Sequence, residues 1–381
     1  MSTLKVDGIR SNSATSDAIT LASDGTCTAN ITNRSNRNFI INGAFQISQR
    51  GGSVTMGSSS AYTLDRWRAA CGSSFNWDSA VVSQSTTSPD GFSNSLKVDI
   101  ANTETPTAGQ NALVQQKIEA QNLQSLAFGT SSAKQCTLSF HVRSNKTGTY
   151  CVQVTQADAS KYVLFEYSIS SADTWEKKTI TISGNTADVI ANDNGGGFEV
   201  NWHLACHSDD HVAATTSWAS SGGFKATSNQ VNLFDNASNE WYLAGVQLEV
   251  GSTASDFEYR SYGEELQLCK RYYTKWCEGN SKYVGNGLVS GATEVHAGIS
   301  LPVSMRGTVA IDHTNGNDYW RIAGSMGGDK YIDGAWVVDN QQPNVFNIYA
   351  TPDTNLSSYV GDAGYVQGKN ASSYMAFESE L

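Results

Sequence analysis

The stretch "TLSFHVRSNKTGTYCVQVTQ", Thr137 to Gln156, alternates apolar and polar residues on both sides of the break "NKTG". Successive side chains of a strand point to opposite faces, so this period marks two half-buried strands, and the turn residues between them predict a hairpin. The texture continues downstream in "KYVLFEYSI", "KKTITISG", "GGFEVNWHLA" and "EWYLAGVQLEV". No long helical pattern separates these segments, which predicts an antiparallel sandwich and not a βαβ sheet. Upstream, "NFIINGAFQISQRG", Asn38 to Gly51, reads as the first strand, turning at Asn42 and Gly43. "LVQQKIEAQNLQSL", Leu113 to Leu126, reads as a helical turn bridging the sandwich. Trp67, Trp175 and Trp241 lie in strand-like blocks and are expected in its core.

Composition supports the same class. Of 381 residues, 39% are hydrophobic and 16% charged, with 34 Gly and only 5 Pro, a texture that favours short strands joined by polar turns. The length exceeds the ~250 to 300 residues at which single cores stop growing, so several parts are expected. A formal charge of -11 without any basic run argues against nucleic acid. No apolar run approaches the ~20 residues needed to span a membrane. "MSTLKVDGIR" lacks the apolar core of a signal peptide, so synthesis in a cytoplasm and release by lysis are expected. The 7 cysteines form no C-x-x-C pair and are expected as free thiols.

The chain divides into residues 1–37, 38–260, 261–279 and 280–381. The first part holds short β-like fragments with too little apolar surface to offset their ordering entropy, and reads as an extended N-terminal anchor completed by other chains. Residues 261–279 read as a helix: Ser261 and Glu264 fit a capping box, with Lys270, Arg271 and Lys275 towards the other end. Tyr262, Leu266, Cys269, Tyr273 and Trp276 recur along it as an a/d seam, which packs either on its own sandwich or on sister helices. Residues 280–381, from "KYVGNGLV" to "SYMAFESEL", read as a second, smaller β-sandwich tip.

Catalysis finds little support. In "HLACHSDDH", His203, His207 and His211 would align on a helix, but the segment is strand-like, and on a strand they would span over ~25 Å, too far for one metal. The pairs Asp209/Asp210, Glu264/Glu265 and Glu378/Glu380 each sit in a turn, helix start or terminus. "NDNGGGF" lacks the Lys-Ser/Thr of a phosphate loop, and no nucleophile elbow is present. Aromatic residues are more informative. Tyr319, Trp320, Tyr331 and Trp336 flank turns in the tip and are candidates for stacking on a glycan or receptor; the competing reading is that they fill a small core.

Four stretches carry a family likeness: "NFIINGAFQISQRGG" (38–52), "YTLDRWR" (62–68), "ADTWEKKTITISG" (172–184) and "YLAGVQLEVGSTASDFEYRSYGEELQLCKRYY" (242–273). In this order they resemble bacteriophage tail-fibre and receptor-binding virion proteins, and the opening "STLKVDGIRSNSATSDAITLASDG" resembles short N-terminal segments of phage virion proteins, particularly of phages infecting marine cyanobacteria. The resemblance covers about residues 38–276; residues 280–381 match no motif of it. It implies a carbohydrate-binding-like jelly-roll sandwich, a short connecting helix and a variable β tip. It implies a non-enzymatic virion appendage, a homotrimer attached to other tail or capsid proteins through residues 1–37, that meets host surface glycan or protein with its far end. No cofactor is implied beyond the structural calcium that such jelly rolls often hold. A decoration or adaptor protein of capsid or tail without a receptor is the alternative, and a depolymerase, which would call for a long repetitive β-helix, ranks last.

Overall fold

The computed structural model of the protein describes residues 6–381 except 14–18, 22, 24–26, 30–34, 221–224, 317 and 325. It is nearly all β, and its centre is a jelly-roll sandwich. One sheet has six strands in the order Glu176–Ile182, Cys136–Ser144, Glu240–Val250, Ser95–Asp99, Val81–Ser85 and Ser53–Thr55. The facing sheet has seven, Thr215–Ser220, Lys161–Ile169, Gly148–Gln156, Gly196–Cys206, Asn111–Glu119, Arg68–Gly72 and Ala61–Tyr62. Between them lies one core that takes alternate residues from both sheets, among them Leu138, Phe140, Val152, Trp202 and Trp241.

The two strands of the opening stretch both form, yet they do not pair. Cys136–Ser144 pairs with Glu176–Ile182 and Glu240–Val250, whereas Gly148–Gln156 pairs with Lys161–Ile169 and Gly196–Cys206 in the other sheet. The expected hairpin is a crossover. The turn residues bond outward: Asn145 Nδ2 donates to the Ser238 carbonyl at 2.7 Å, the Glu240 N–H to Asn145 Oδ1 at 2.8 Å, and Ser144 Oγ to the Glu240 carbonyl at 2.5 Å. With its polar groups held by the 238–240 segment, the link leads the chain across the core.

Two further expectations are corrected. Leu113–Leu126 is no helical bridge: Asn111–Glu119 is a central strand, and only Ala120–Leu126 turns, as a 3-10 helix. The segment from Asn38 is not a strand but an extended run that borrows its ladder from a side chain. Asn38 Nδ2 donates to the Val246 carbonyl at 3.1 Å and its Oδ1 accepts from the Leu248 N–H at 3.0 Å, while the Phe39 N–H reaches the Leu248 carbonyl at 2.8 Å. The turn itself forms: Asn42 has φ +58°, and its amide group bonds Ile47 and the Asp65 carbonyl. At Gly43 a Cβ would lie 2.1 Å from the Val246 carbonyl oxygen, so only glycine fits against that strand. Trp67 and Trp241 are fully buried as expected, but Trp175 is half-buried, packed edge-on against Tyr242 outside the sheet.

The capping box forms, with the Glu264 N–H on Ser261 Oγ at 3.3 Å and the Ser261 N–H on Glu264 Oε2 at 2.9 Å, but helix α1 spans only Tyr262–Lys270. The a/d seam is therefore corrected: Tyr273 and Trp276 lie on the strand Tyr273–Glu278, and Tyr262 is 60% exposed. Of the five, Leu266 and Cys269 point inward, into a small cluster with Ile41, Ile47, Tyr272 and Leu381. The run Tyr272-Tyr273-Thr274 favours strand over helix and ends it.

Tyr273–Glu278 pairs with Tyr374–Glu378, so the terminal unit starts ahead of the boundary expected at 280. Its large sheet runs Lys330–Ile332, Trp320–Gly324, Ala363–Gly368, Tyr283–Gly291, Glu294–Ser300, Val345–Ala350 and Val337–Asp339. At the other end, Gly8–Ile9, Ile19–Leu21 and Cys27–Ala29 pair as a small antiparallel sheet, the rest of the 1–37 arm lying partly outside the described residues.

Candidate functional site

The outer face of the seven-stranded sheet is where strand alternation leaves polar side chains in register. Along Asn111–Glu119, Ala112, Val114 and Ile118 enter the core, which turns Gln115 and Lys117 outward. The register sets Arg68 beside Gln115, Gln115 beside Asn201 and Asn201 beside Gln153, one residue from each of four adjacent strands. Arg68 Nη1 donates to Gln115 Oε1 at 2.9 Å, and Gln115 Nε2 donates to Asn201 Oδ1 at 2.9 Å. One step along, Lys117 pairs with Glu199 at 2.9 Å. Gln115, Gln153 and Asn201 are 4–5% exposed, so the row forms the recessed floor of a groove of about 270 Å³.

Ser60 and Arg68 line both this groove and a wider cleft of about 540 Å³, which runs between the sandwich and the terminal unit past Tyr62, Lys117, Arg306 and Glu378. The cleft has fixed walls. Arg50 pairs with Glu378 at 3.3 Å and Glu380 at 2.9 Å, Arg66 pairs with Glu380, and Tyr62 donates to the Leu381 carbonyl at 2.6 Å. Burial pushes the Tyr62 hydroxyl up to about 12, which keeps it a donor. Further in, burial alone would push the Glu119 carboxyl up, but Arg271 at 2.7 and 2.8 Å and the Tyr272 hydroxyl hold it below the ordinary range.

The candidates in the tip fare differently. Trp320 and Trp336 are core residues, 1% and 4% exposed, with rings in a T-shaped contact at 6.4 Å, so both are withdrawn as surface contacts. Trp320 Nε1 donates to the Thr314 carbonyl at 2.8 Å, which gives a buried indole the partner it needs. Tyr319 is half-buried against the same cluster. Tyr331 alone of the four stays exposed, with Lys369 Nζ 3.4 Å from its ring centre. Other rings on that outer face, Tyr283 and Tyr365, were not singled out by sequence reading.

In "HLACHSDDH", His203 is a fully buried strand residue whose ring nitrogens have no partner; burial pushes its pKa down to about 3 and holds it neutral. His207 instead caps the 3-10 turn Ser208–Asp210. Among the described residues no group of three or more His, Cys, Asp or Glu side chains is arranged to hold a metal. Two of the three carboxylate pairs are structurally committed: Glu264 caps α1, Glu265 accepts from the Asn42 N–H, and Glu378 and Glu380 serve the arginines of the cleft, while Asp209 and Asp210 lie in the 3-10 turn.

The groove residues were missed because "LVQQKIEA" reads equally as a helix; once it is a strand, its alternate residues Gln115 and Lys117 are the signal.

The fold and the groove together define a jelly-roll β-sandwich protein with a polar, open recess on one sheet. No protein-family model matches the sequence, and no curated protein matches it. Among solved structures, the chain is similar to the enzymatically active domain of tailspike protein 4 of bacteriophage CBA120, at 14% identity and TM-score 0.30, covering 58% of this chain and 24% of that one. It is similar to TmCBM61 in complex with beta-1,4-galactotriose, at 10% identity and TM-score 0.29, over 56% of this chain and 99% of that one. It is similar to the C-terminal family 22 carbohydrate-binding module of Clostridium thermocellum Xyn10B, at 13% identity and TM-score 0.29, over 59% and 99%. The chemistry of the present chain has to be read from its own residues.

Proposed function

We propose that the protein is a non-catalytic virion appendage, a tail fibre or spike, that recognises glycan on the host surface through the groove of its seven-stranded sheet. The observation that carries this reading is the row Arg68, Gln115, Asn201 and Gln153. Guanidinium and amide groups fixed by neighbouring strands present directional donors and acceptors, the type of group that binds sugar hydroxyls, in a recess open to solvent. The family likeness of residues 38–276 supplies the virion context: attachment through residues 1–37, assembly as a homotrimer, and release by lysis.

The test is adsorption of the purified, labelled protein to host cells. Adsorption that blocks infection, and that falls in Asn201→Ala and Gln153→Ala without loss of fold, is expected. Incorporation into particles without any adsorption would favour a decoration protein. Removal of residues 1–37 is expected to abolish incorporation while leaving the sandwich folded.

A further inference from the structure

We infer that the groove takes an acidic saccharide, one whose sugars carry carboxylate or sulfate groups; this rests on the glycan-binding reading above and names the class of glycan. The distribution of ion pairs carries it. Among the described residues from Arg37 onward, every arginine except Arg68 and Arg306 has a carboxylate at ion-pair distance. Both exceptions line the cleft that continues the groove.

They are not equivalent. Arg306 is saturated by carbonyls: its Nε donates to Ser379 at 2.9 Å, Nη1 to Asn194 at 2.9 Å and Nη2 to Glu380 at 2.7 Å. Arg68 donates to one neutral partner, Gln115, from Nη1. A guanidinium has five donors in a planar fork, so Arg68 keeps most of its fork for a ligand, and that fork matches a carboxylate or sulfate better than a hydroxyl.

The rest of the lining has the same bias. Lys225 stands on the groove wall, and the Glu199 carboxylate there is already held by Lys117. In the adjoining cleft Glu378 and Glu380 are held by Arg50 and Arg66. The side-chain carboxylates of Glu199, Glu378 and Glu380 are thus neutralised by partners other than Arg68 and Lys225. A recess with two uncommitted cations in a chain of net charge -11 attracts anions locally while the rest of the surface repels them. The amides of Gln115, Asn201 and Gln153 then lie where hydroxyls of the same sugars would reach.

Calorimetric titration of the full chain with matched pairs tests this: oligogalacturonate against its carboxyl-reduced form, and κ-carrageenan oligosaccharide against its desulfated form. At least one charged member is expected to bind about tenfold or more tighter than its neutral partner, and the stronger pair tells carboxylate from sulfate. That preference is expected to fall between about 0.1 and 1 M salt, as the screening length drops from ~10 to ~3 Å. Arg68→Ala is expected to lose about tenfold on the charged ligand and little on the neutral one, with Arg68→Lys and Lys225→Gln between. Equal, salt-insensitive binding of both members of each pair, unchanged in Arg68→Ala, would overturn the inference and leave the glycan reading standing. No binding to any of the four probes, nor to host-surface polysaccharide, by protein with an unaltered near-ultraviolet circular dichroism spectrum would overturn both.

Discussion

The guanidinium of Arg66 lies 3.5 Å from the centre of the Tyr272 ring, and it pairs with Glu380 from the far end of the chain. Arg66 is 1% exposed, so the sandwich, the segment after α1 and the C-terminal residues meet on a charge removed from water. Such a charge is tolerated only because its partner is present. Glu380→Ala is expected to destabilise the protein by about 3 to 5 kcal/mol, since it leaves the buried guanidinium without its counter-ion. Chemical unfolding checks it; a loss within about 0.5 kcal/mol would show that solvent reaches the pair.

His203 makes stability depend on pH. Its folded pKa is about 3 against an ordinary 6.5, so between these values the unfolded chain binds a proton that the folded one refuses. Stability therefore suffers no penalty above pH 6.5 and falls as the solution is acidified towards pH 3, by about 1.4 kcal/mol per pH unit for one proton. His203→Gln is expected to flatten the profile between pH 6 and 4 by that amount. An unchanged slope would assign the acid sensitivity to other groups.

Strand positions were legible where apolar and polar residues alternate cleanly, as in Cys136–Ser144 and Gly148–Gln156, but not at Asn38 or in Asn111–Glu119, and strand partners were not legible at all. "TLSFHVRSNKTGTYCVQVTQ" encodes two strands, but whether they pair is decided by Asn145, Ser144 and Glu240, residues about a hundred positions apart that only the fold brings together. The same limit hid the groove, whose row joins Arg68 to Gln153 across four strands, and it misdirected the reading of Trp320 and Trp336. Turn-flanking indoles look exposed until a second sheet covers them. Where a local rule was complete in itself, as in the Ser261–Glu264 capping box and the Asn42–Gly43 turn, the sequence reading matches the structure.

Gly43→Ala tests how closely the extended entry segment lies on the sandwich. The added Cβ would meet the Val246 carbonyl oxygen at 2.1 Å, and the Val246 N–H donates to the Gly43 carbonyl at 2.9 Å, so relief by shifting the segment breaks a bond. A loss of about 1 to 3 kcal/mol is expected in thermal or chemical unfolding.

The terminal unit offers a direct contrast between buried and exposed rings. Trp336→Ala empties a site that is 4% exposed and is expected to cost about 3 to 5 kcal/mol, and Trp320→Ala about the same. Because the two indoles meet edge to face at 6.4 Å, the double variant is expected to lose less than the sum of the single ones, by about 0.5 to 1.5 kcal/mol. Tyr331→Ala removes a ring that is 38% exposed, with the Lys369 ammonium 3.4 Å from its centre, so its cost should stay below about 1 kcal/mol. Unfolding of all four variants in one denaturant series separates the outcomes. If Trp336→Ala unfolds at the midpoint of the unsubstituted protein, the ring is outside the core, and its role returns to the surface.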